Sequence, residues 1–292
     1  MNLDKIAIIG AGRLGTSLAL ALAAHNRPPR FVASRSMRSA NVLAQRVNAA
    51  ACTPEQALGF AELVLLTVPD DEIEKAAAEL PWRPGQAVVH CSGATEVGAL
   101  AAAADRGALV GGFHPLQIFS DPERGAAMLA GSSVTIEADE PLLGKLRELA
   151  QVLGLRTMQL PPGARSAYHA AANYAASFLL SMLGEAEDIW AAVGLPREQA
   201  LHALLPLARG TLSAAQSRGL AGAQSGALSR GDLGVIRRHL QALDALDVLD
   251  GTVHGDFYRE FSRRQLQLAR SSERLDATTL EQVAGLLKKS DR

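Results

Sequence analysis

The chain has 292 residues, of which 48% are hydrophobic and 4% aromatic, and its formal net charge is -1. Single hydrophobic cores usually stop growing near about 250–300 residues, so this length predicts two domains. The balanced charge offers no basic surface to nucleic acid or an anionic membrane, and no apolar run reaches the roughly 18 residues of a membrane span. Cys52 and Cys91 lack the spacing of metal ligands, so we expect a cytoplasmic protein with reduced thiols and no metal site.

A glycine-rich motif follows the first predicted strand directly, in the segment KIAIIGAGRLG. Gly10 suits a sharp turn, Gly12 lets the backbone approach a pyrophosphate, and Gly15 lets the next helix pack on the strand. Arg13 and Leu14 lie in the first turn of that helix, where backbone amides and the helix dipole favour a phosphate. The motif predicts a dinucleotide-binding site, and the alternative is an ordinary turn between a strand and a helix.

The end of the second predicted strand, 30–34, indicates which dinucleotide is bound. An NAD-binding protein usually has an acidic residue near this point, which accepts hydrogen bonds from the adenine ribose. Here the chain has Ser34, Arg35 and Ser36, with no carboxylate among them. Guanidinium and hydroxyl groups suit the additional phosphate of NADP, so NADP (NADPH) is the expected cofactor. The alternative is a solvated basic loop.

The rest of the first half alternates between strands and helices. Five further segments have the apolar pattern of strands: 61–68, 86–91, 109–114, 133–137 and 155–160. Because 61–68 is apolar throughout, it is typical of a strand buried on both faces of a parallel sheet. Its last residue, Val68, and Pro69, which stops the strand, are expected to contact the cofactor, because ligands bind beyond the carboxyl ends of such strands.

A domain boundary is predicted at 161–163, which reads PPG, because strand patterns stop there. Beyond it, helical patterns cover five segments: 164–193, 197–218, 232–249, 256–269 and a last one from near Thr278. Asp232 is a candidate N-cap, and Thr278 with Glu281 has the spacing of a capping box. The prediction is a doubly wound parallel Rossmann sheet in 1–160, followed by an all-α domain in 164–292 for substrate binding and dimerisation.

Three candidate groups could carry chemistry near the nicotinamide. Ser92 ends a strand and could offer a hydroxyl, although an ordinary turn explains it too. His114 follows two glycines at another strand end and could exchange a proton near pH 7, or be a structural histidine. His169 and Asn173 lie four residues apart on one helix face, where they could bind a ligand or form a structural network.

The chain resembles a family of Rossmann-like NADP oxidoreductases whose helical C-terminal domain has no assigned function. The landmarks, in order along the chain, are GAGRLG, VPDDEI, HCSGA, FHPLQ, YHAAANY and ALSRGD. More distantly the chain is similar to pyrroline-5-carboxylate reductases, deazaflavin-dependent NADP reductases, prephenate dehydrogenases and β-hydroxyacid dehydrogenases. The Gly-x-His-Pro segment of prephenate dehydrogenases implies that His114 transfers a proton. The Lys-x-x-x-Asn pair of β-hydroxyacid dehydrogenases has the spacing of His169 and Asn173, which implies that Asn173 anchors substrate or nicotinamide.

These patterns predict an NADP-dependent reductase or dehydrogenase acting on a small carbonyl/alcohol or imine/amine metabolite. Two alternatives remain open, a sensor that binds NADP(H) without turnover and an enzyme that passes hydride to a flavin or deazaflavin. His114 favours the enzyme, because a sensor needs no titratable group at the nicotinamide end. Whether His114 or His169 donates the proton is also open. Because the relatives commonly dimerise through their helical domains, the resemblance implies a homodimer.

Overall fold

The structure, a computed structural model, describes residues 5–272 and 274–288. Residue contacts divide the chain into two compact units, Met1–Ala176 and Ser177–Arg292. The first unit holds a β-sheet with helices, and the elements of the second are helices. In the described part of the chain, no helix is long and apolar enough to cross a membrane.

The first unit is organised by an eight-stranded sheet. Its strands are β1 Ile6–Ile9, β2 Phe31–Ala33, β3 Ala50–Cys52, β4 Leu63–Leu66, β5 Ala87–His90, β6 Leu109–Leu116, β7 Ser133–Ala138 and β8 Arg156–Gln159. They are arranged in the order β3-β2-β1-β4-β5-β6-β7-β8, and every pair is parallel except β6 with β7. The order of the first six is that of dinucleotide-binding sheets, so the predicted fold class is confirmed.

Helices cover both faces of this sheet. They are α1 Arg13–Ala24, α2 Met37–Val47, α3 Pro54–Phe60, α4 Ile73–Glu79, α5 Ala101–Ala104, α6 Pro122–Ala127, α7 Leu142–Val152 and α8 Arg165–Ala175. Successive side chains of a strand point to opposite faces, so β4 contributes Leu63 and Leu65 to one apolar cluster and Val64 and Leu66 to the other. Burial on both faces is why this strand is apolar throughout.

The sequence analysis missed the edge strand β3. Asn48 adopts a left-handed conformation with φ 54°, which ends α2 and turns the chain back beside β2. The segment Ala50–Cys52 then pairs in parallel with β2. Three small residues at a sheet edge carry neither the alternation nor the apolar run by which a strand is recognised.

The helix predicted over 164–193 is two helices, because Ala176 has the non-helical angles φ -113° and ψ -91°. Helix α8 belongs with the sheet, and the contacts divide the chain after Ala176, whereas the sequence pattern places the boundary at 161–163. The physical reason is Arg165, whose side chain is completely buried and bonded to groups of the sheet unit.

Among the described residues of the second unit, the helical segments are α9 Ser177–Ala192, α10 Arg197–Ala223, α11 Ala227–Arg230, α12 Leu233–Asp250, α13 His254–Ser271 and α14 Ala277–Leu286. Segment α10 is interrupted at Gly219, whose φ of 71° and ψ of 170° are not helical. The predicted cap of α12 is confirmed, since Asp232 accepts a hydrogen bond from the backbone of Val235. The capping box of Thr278 and Glu281 is wrong. The Asp276 carboxylate caps α14 instead, because an aspartate standing just before the helix can reach the Thr279 amide.

Candidate functional site

A cavity of about 510 Å³ lies beyond the carboxyl ends of β1, β2 and β4. Seven of the residues predicted to bind the cofactor line it: Gly10, Gly12, Ser34, Arg35, Ser36, Val68 and Pro69. Its size falls within the range of small-molecule and cofactor sites. The structure therefore brings the glycine motif and the predicted strand ends together around one cavity.

The glycine motif has the geometry that a bound pyrophosphate needs. Gly10 has φ 118°, and a Cβ there would lie 2.5 Å from the Thr67 carbonyl oxygen. A Cβ on Gly15 would overlap the Gly10 carbonyl oxygen, which explains how α1 packs so near the turn. Gly12 faces open space, with no atom within 4 Å of the position of its absent Cβ. A phosphate can therefore approach the backbone at Gly12.

The amino end of α1 has no capping side chain and no acidic residue in its first turn. Its first backbone amides, from Arg13 onward, are the groups that an anion binds at a helix N-terminus. The Arg13 side chain is exposed, and Leu14 packs its side chain against the core. These features fit a dinucleotide whose phosphates take the place of a cap.

The loop after β2 presents its polar groups to the same cavity. The Arg35 side chain is 83% exposed and lies 3.7 Å from a carboxylate oxygen of Glu72. The Ser36 hydroxyl accepts a hydrogen bond from the Ser39 amide and so caps α2, while its own proton remains available to a ligand. An exposed ion pair is worth only about 0–1 kcal/mol, so Arg35 can exchange Glu72 for a phosphate at little cost.

A polar surface lies on one face of the sheet, at the carboxyl ends of β5 and β6 and on the adjoining part of β7. Gly112 and His114 alternate along β6, opposite Glu137 and Thr135 of β7 respectively. His90 of β5 pairs with Gly112 on the other side. Since residues two apart share a face and directly opposed residues are neighbours, these five groups form one patch.

Helix α8 packs on this patch through Arg165, which is 0% exposed. Its Nε donates to the Glu137 carboxylate at 2.8 Å, and its Nη1 donates to the Ser92 carbonyl at 2.8 Å. Its Nη2 occupies the space that a side chain on Gly112 would fill. The backbone amide of Arg165 also donates to Glu96 at 3.1 Å, which places a carboxylate at the amino end of the helix.

Fixing Arg165 brings Tyr168 and His169 onto the same patch, because residues three and four further along a helix share its face. The Tyr168 hydroxyl lies 3.2 Å from Nδ1 of His114. The His169 ring stands edge-on to the His114 ring, with centroids 5.9 Å apart. A Cβ on Gly93 would lie 2.6 Å from Cδ2 of His169 and 2.8 Å from Nε2 of His114, so the two imidazoles meet above this glycine.

Burial lowers the pKa of His114 to about 4, and the nearby charges of His169 and Arg165 act in the same direction. Burial lowers the pKa of His90 to about 3, assisted by Arg165 and His114. Both rings are therefore neutral at pH 7. The sequence analysis expected His114 to exchange a proton near pH 7, and the structure differs because the strand end is buried beneath α8.

The Ser92 side chain stabilises the turn that follows β5. Its hydroxyl accepts hydrogen bonds from the amides of Ala94 and Thr95 and donates to the Thr95 hydroxyl. A hydroxyl has one proton and two lone pairs, so these bonds use its capacity in the turn. Asn173 lies one helical turn beyond His169 and is half-buried.

Two family models match consecutive parts of the chain. Residues 2–115 match a Rossmann-like domain, and residues 132–265 match a domain of unknown function, DUF2520. The chain joins a Rossmann-like domain to a DUF2520 domain. This confirms the resemblance predicted from the sequence motifs. His114 lies in the Rossmann-like segment, whereas Glu137, Arg165, Tyr168 and His169 lie in the DUF2520 segment, so both segments build the patch.

Solved structures share this fold along most of the chain. Protein TM1727 from Thermotoga maritima has a TM-score of 0.73 at 23% identity, covering 91% of this chain and 98% of its own. A Bacteroides fragilis protein, BF3122, provisionally described as an NADP oxidoreductase, has a TM-score of 0.67 at 25% identity, covering 94% and 100%. A reductive aminase from Aspergillus terreus, in complex with NADPH and ethyl levulinate, has a TM-score of 0.62 at 17% identity, covering 97% of each chain. No curated protein matches the chain.

The sequence analysis did not identify His90, Glu137 or Arg165 as part of the site. One signal was present, since the polar residues Ser133, Thr135 and Glu137 alternate with apolar residues along β7, which marks a polar face. A buried arginine beside a glycine has no comparable local signal. Within the described residues, no cluster of His, Cys, Asp or Glu has the arrangement of a metal site.

The packing of Arg165 on Gly112 predicts a large effect of a small substitution. Gly112→Ala should lower the free energy of unfolding by about 1–3 kcal/mol, because the added methyl group overlaps a buried guanidinium that two hydrogen bonds hold in place. Urea unfolding measures the effect. Gly98→Ala is the matched control, since a Cβ there meets no atom within 4 Å. Equal stability of the two variants would contradict this packing.

Proposed function

We propose that the protein is an NADP-dependent oxidoreductase that moves hydride between nicotinamide and a small carbonyl/alcohol or imine/amine metabolite. One observation carries the proposal: the nucleotide cavity and the paired imidazoles of His114 and His169 lie at the same carboxyl edge of one sheet. Ligands of doubly wound folds bind at this edge. A binding module would need the cavity but not the imidazoles.

The residues of the chain have separate tasks in this proposal. The cofactor, when bound, supplies the hydride chemistry, and the protein supplies orientation and polar contacts to the reacting group. The α1 amides and the glycine turn hold the pyrophosphate, while Ser34, Arg35 and Ser36 hold the additional phosphate. His114 and His169 meet above Gly93. In this proposal the substrate's oxygen or nitrogen, which gains electron density as it is reduced, lies against these two rings.

The solved structures support the same class of reaction. The reductive aminase was crystallised with NADPH and ethyl levulinate, and a pyrroline-5-carboxylate reductase from Streptococcus pyogenes is also among the proteins of similar fold. Both names describe reduction reactions. At this low identity the similarity shows only a shared fold. The argument for the activity therefore rests on the cavity and the imidazole pair.

The activity is tested by following NADPH oxidation with small ketones, aldehydes and ketone–amine mixtures. If His114 donates a hydrogen bond to the reacting heteroatom, His114→Asn should lower turnover by about 10²- to 10³-fold with little change in NADPH affinity. The same loss in His169→Asn alone would assign the contact to His169. His25→Asn is the control, since His25 follows α1 and its side chain bonds the Ala21 carbonyl, away from the imidazole pair in the chain.

Two results would contradict the activity or redirect it. An unmodified protein that binds NADPH and never oxidises it, with any carbonyl, imine or flavin, would be a sensor. Oxidation of NADPH by a flavin or deazaflavin alone would make the protein a flavin-directed reductase.

The cofactor preference follows from the loop after β2. NADPH should bind at least about 10-fold more tightly than NADH, since one or two charge-assisted phosphate contacts supply about 1.4 kcal/mol. Arg35→Asp should remove most of this preference, and Arg27→Asp, a change of the same charge before β2, should leave it in place. Titrations followed by cofactor fluorescence measure both affinities. Equal affinities in the unmodified protein would contradict the assignment of Ser34, Arg35 and Ser36.

The surface of the second unit supports a homodimer. Helix α9 has no buried residue, and Ala200 is the one buried residue of α10. Large apolar side chains on these helices are exposed, among them Leu180 at 70%, Leu207 at 67% and Leu212 at 57%. Monomeric proteins rarely leave such contiguous apolar faces in water, and a two-fold pair of identical helical units would cover them.

Light scattering at micromolar concentration should therefore give twice the chain mass of 30.7 kDa. Leu207→Glu should shift the mass toward that of one chain, because it places a carboxylate in an apolar interface. Met128→Glu changes an exposed apolar residue of the first unit in the same way and should keep the dimer. A single-chain mass for the unmodified protein would refute the pairing.

A further inference from the structure

Resting on the proposed reductase function, we propose that Tyr168 is a positioning residue that holds His114 as the neutral Nε2–H tautomer. In this state His114 presents a hydrogen-bond donor above Gly93 to the oxygen or nitrogen of the substrate's C=O or C=N group. No proton leaves the His114 ring. The proton that the reduced heteroatom takes comes from His169 or from water.

The hydrogen bond between Tyr168 and His114 has the phenol as its donor. Their shared hydrogen bond spans 3.2 Å, from the Tyr168 hydroxyl to Nδ1. Thr135 stands directly opposite His114 across the β6–β7 pair. Burial raises the pKa of Tyr168, so the phenol keeps its proton at pH 7. A phenol is a stronger acid than a neutral imidazole, and an imidazole nitrogen accepts a proton more readily than a phenol oxygen, so the Tyr168 hydroxyl donates to Nδ1.

The surroundings of the His114 ring favour its neutral form. The groups that face His114 are Tyr168, His169 and Arg165 from α8 and His90 from β5. Arg165 cannot lose its charge, and its bonds to Glu137 and Ser92 hold it in place. A fixed cation, a second imidazole and burial all disfavour an imidazolium at His114, in keeping with a pKa of about 4.

The one ring proton of neutral His114 is on the nitrogen that does not face Tyr168. A neutral imidazole whose Nδ1 accepts a hydrogen bond carries its proton on Nε2. Nε2 lies 2.8 Å from the position that a Cβ on Gly93 would take. Glycine at this position therefore leaves room for both imidazoles, and a larger residue would displace them. A neutral histidine that donates a hydrogen bond to a carbonyl is a known form of electrophilic assistance.

The tautomer is measured directly by ¹⁵N NMR of the histidine rings in the full-length protein at pH 7, without ligand. His114 should show a protonated Nε2 and an unprotonated, hydrogen-bonded Nδ1. In Tyr168→Phe the Nδ1 resonance should move toward the position of an unbonded nitrogen. The pKa of His114 should also rise by about 1, because the lost bond had stabilised the neutral ring.

The sign of that change separates the two directions of the hydrogen bond. If Nδ1 were the donor, the bond would stabilise the charged ring, and Tyr168→Phe would lower the pKa of His114 instead. Tyr258→Phe is the matched control, since Tyr258 bonds Nδ1 of His239 at 3.0 Å in the second unit, and it should leave the His114 signals unchanged. If acid unfolds the protein before His114 titrates, the tautomer at pH 7 decides alone.

A protonated Nδ1 in the unmodified protein, or no response to Tyr168→Phe, would overturn the assignment of Tyr168. Neither result depends on turnover, so the reductase proposal would survive it. Conversely, a protein with the Nε2–H tautomer that never oxidises NADPH would retain this geometry and lose the proposed function.

Discussion

The ion pair between Arg165 and Glu137 determines how α8 packs on the polar patch of the first unit. A guanidinium that is completely out of water is costly unless it is paired and hydrogen-bonded, and removing one partner of such a pair costs about 3–5 kcal/mol. Here the Glu137 carboxylate and the Ser92 carbonyl satisfy two of its nitrogens, and Gly112 leaves the space for the third. This pairing determines which turn of α8 lies on which residues of β6 and β7. Tyr168 and His169 then reach His114 as a consequence of helix geometry.

The same guanidinium sets the electrostatics of the site. It stands close enough to His90 and His114 to lower the pKa of each, in addition to the effect of burial. Glu137 pairs with this charge and holds it in a fixed place beside the two imidazoles. Neutral imidazoles beside such a pair can donate and accept hydrogen bonds in defined directions, which is the arrangement that orients a polar substrate group.

The parts of the molecule that the sequence predicted depend on local patterns. Gly10, Gly12 and Gly15 of the glycine motif lie within one turn. Their spacing alone indicates a sharp turn after the strand, a backbone that a phosphate can approach and a helix that packs closely on the strand. The positions of His114 and His169 also follow from local features, a strand end and a helix face. The contact between Arg165 and Glu137 joins residues 28 apart, from different elements, and no single-sequence pattern indicates such a pairing. The division of the chain after Ala176 was missed for the same reason, because it depends on what Arg165 contacts.

In the proposed enzyme, the imidazole pair serves a cofactor bound in the neighbouring cavity. A crystal structure of the complex with NADPH tests it most directly, through the distance from Nε2 of His114 to C4 of the nicotinamide. The account predicts a distance below about 8 Å, which one substrate atom and one water can bridge, with Nε2 directed toward the cofactor. A longer distance, with the imidazole directed away from the nicotinamide, would contradict it.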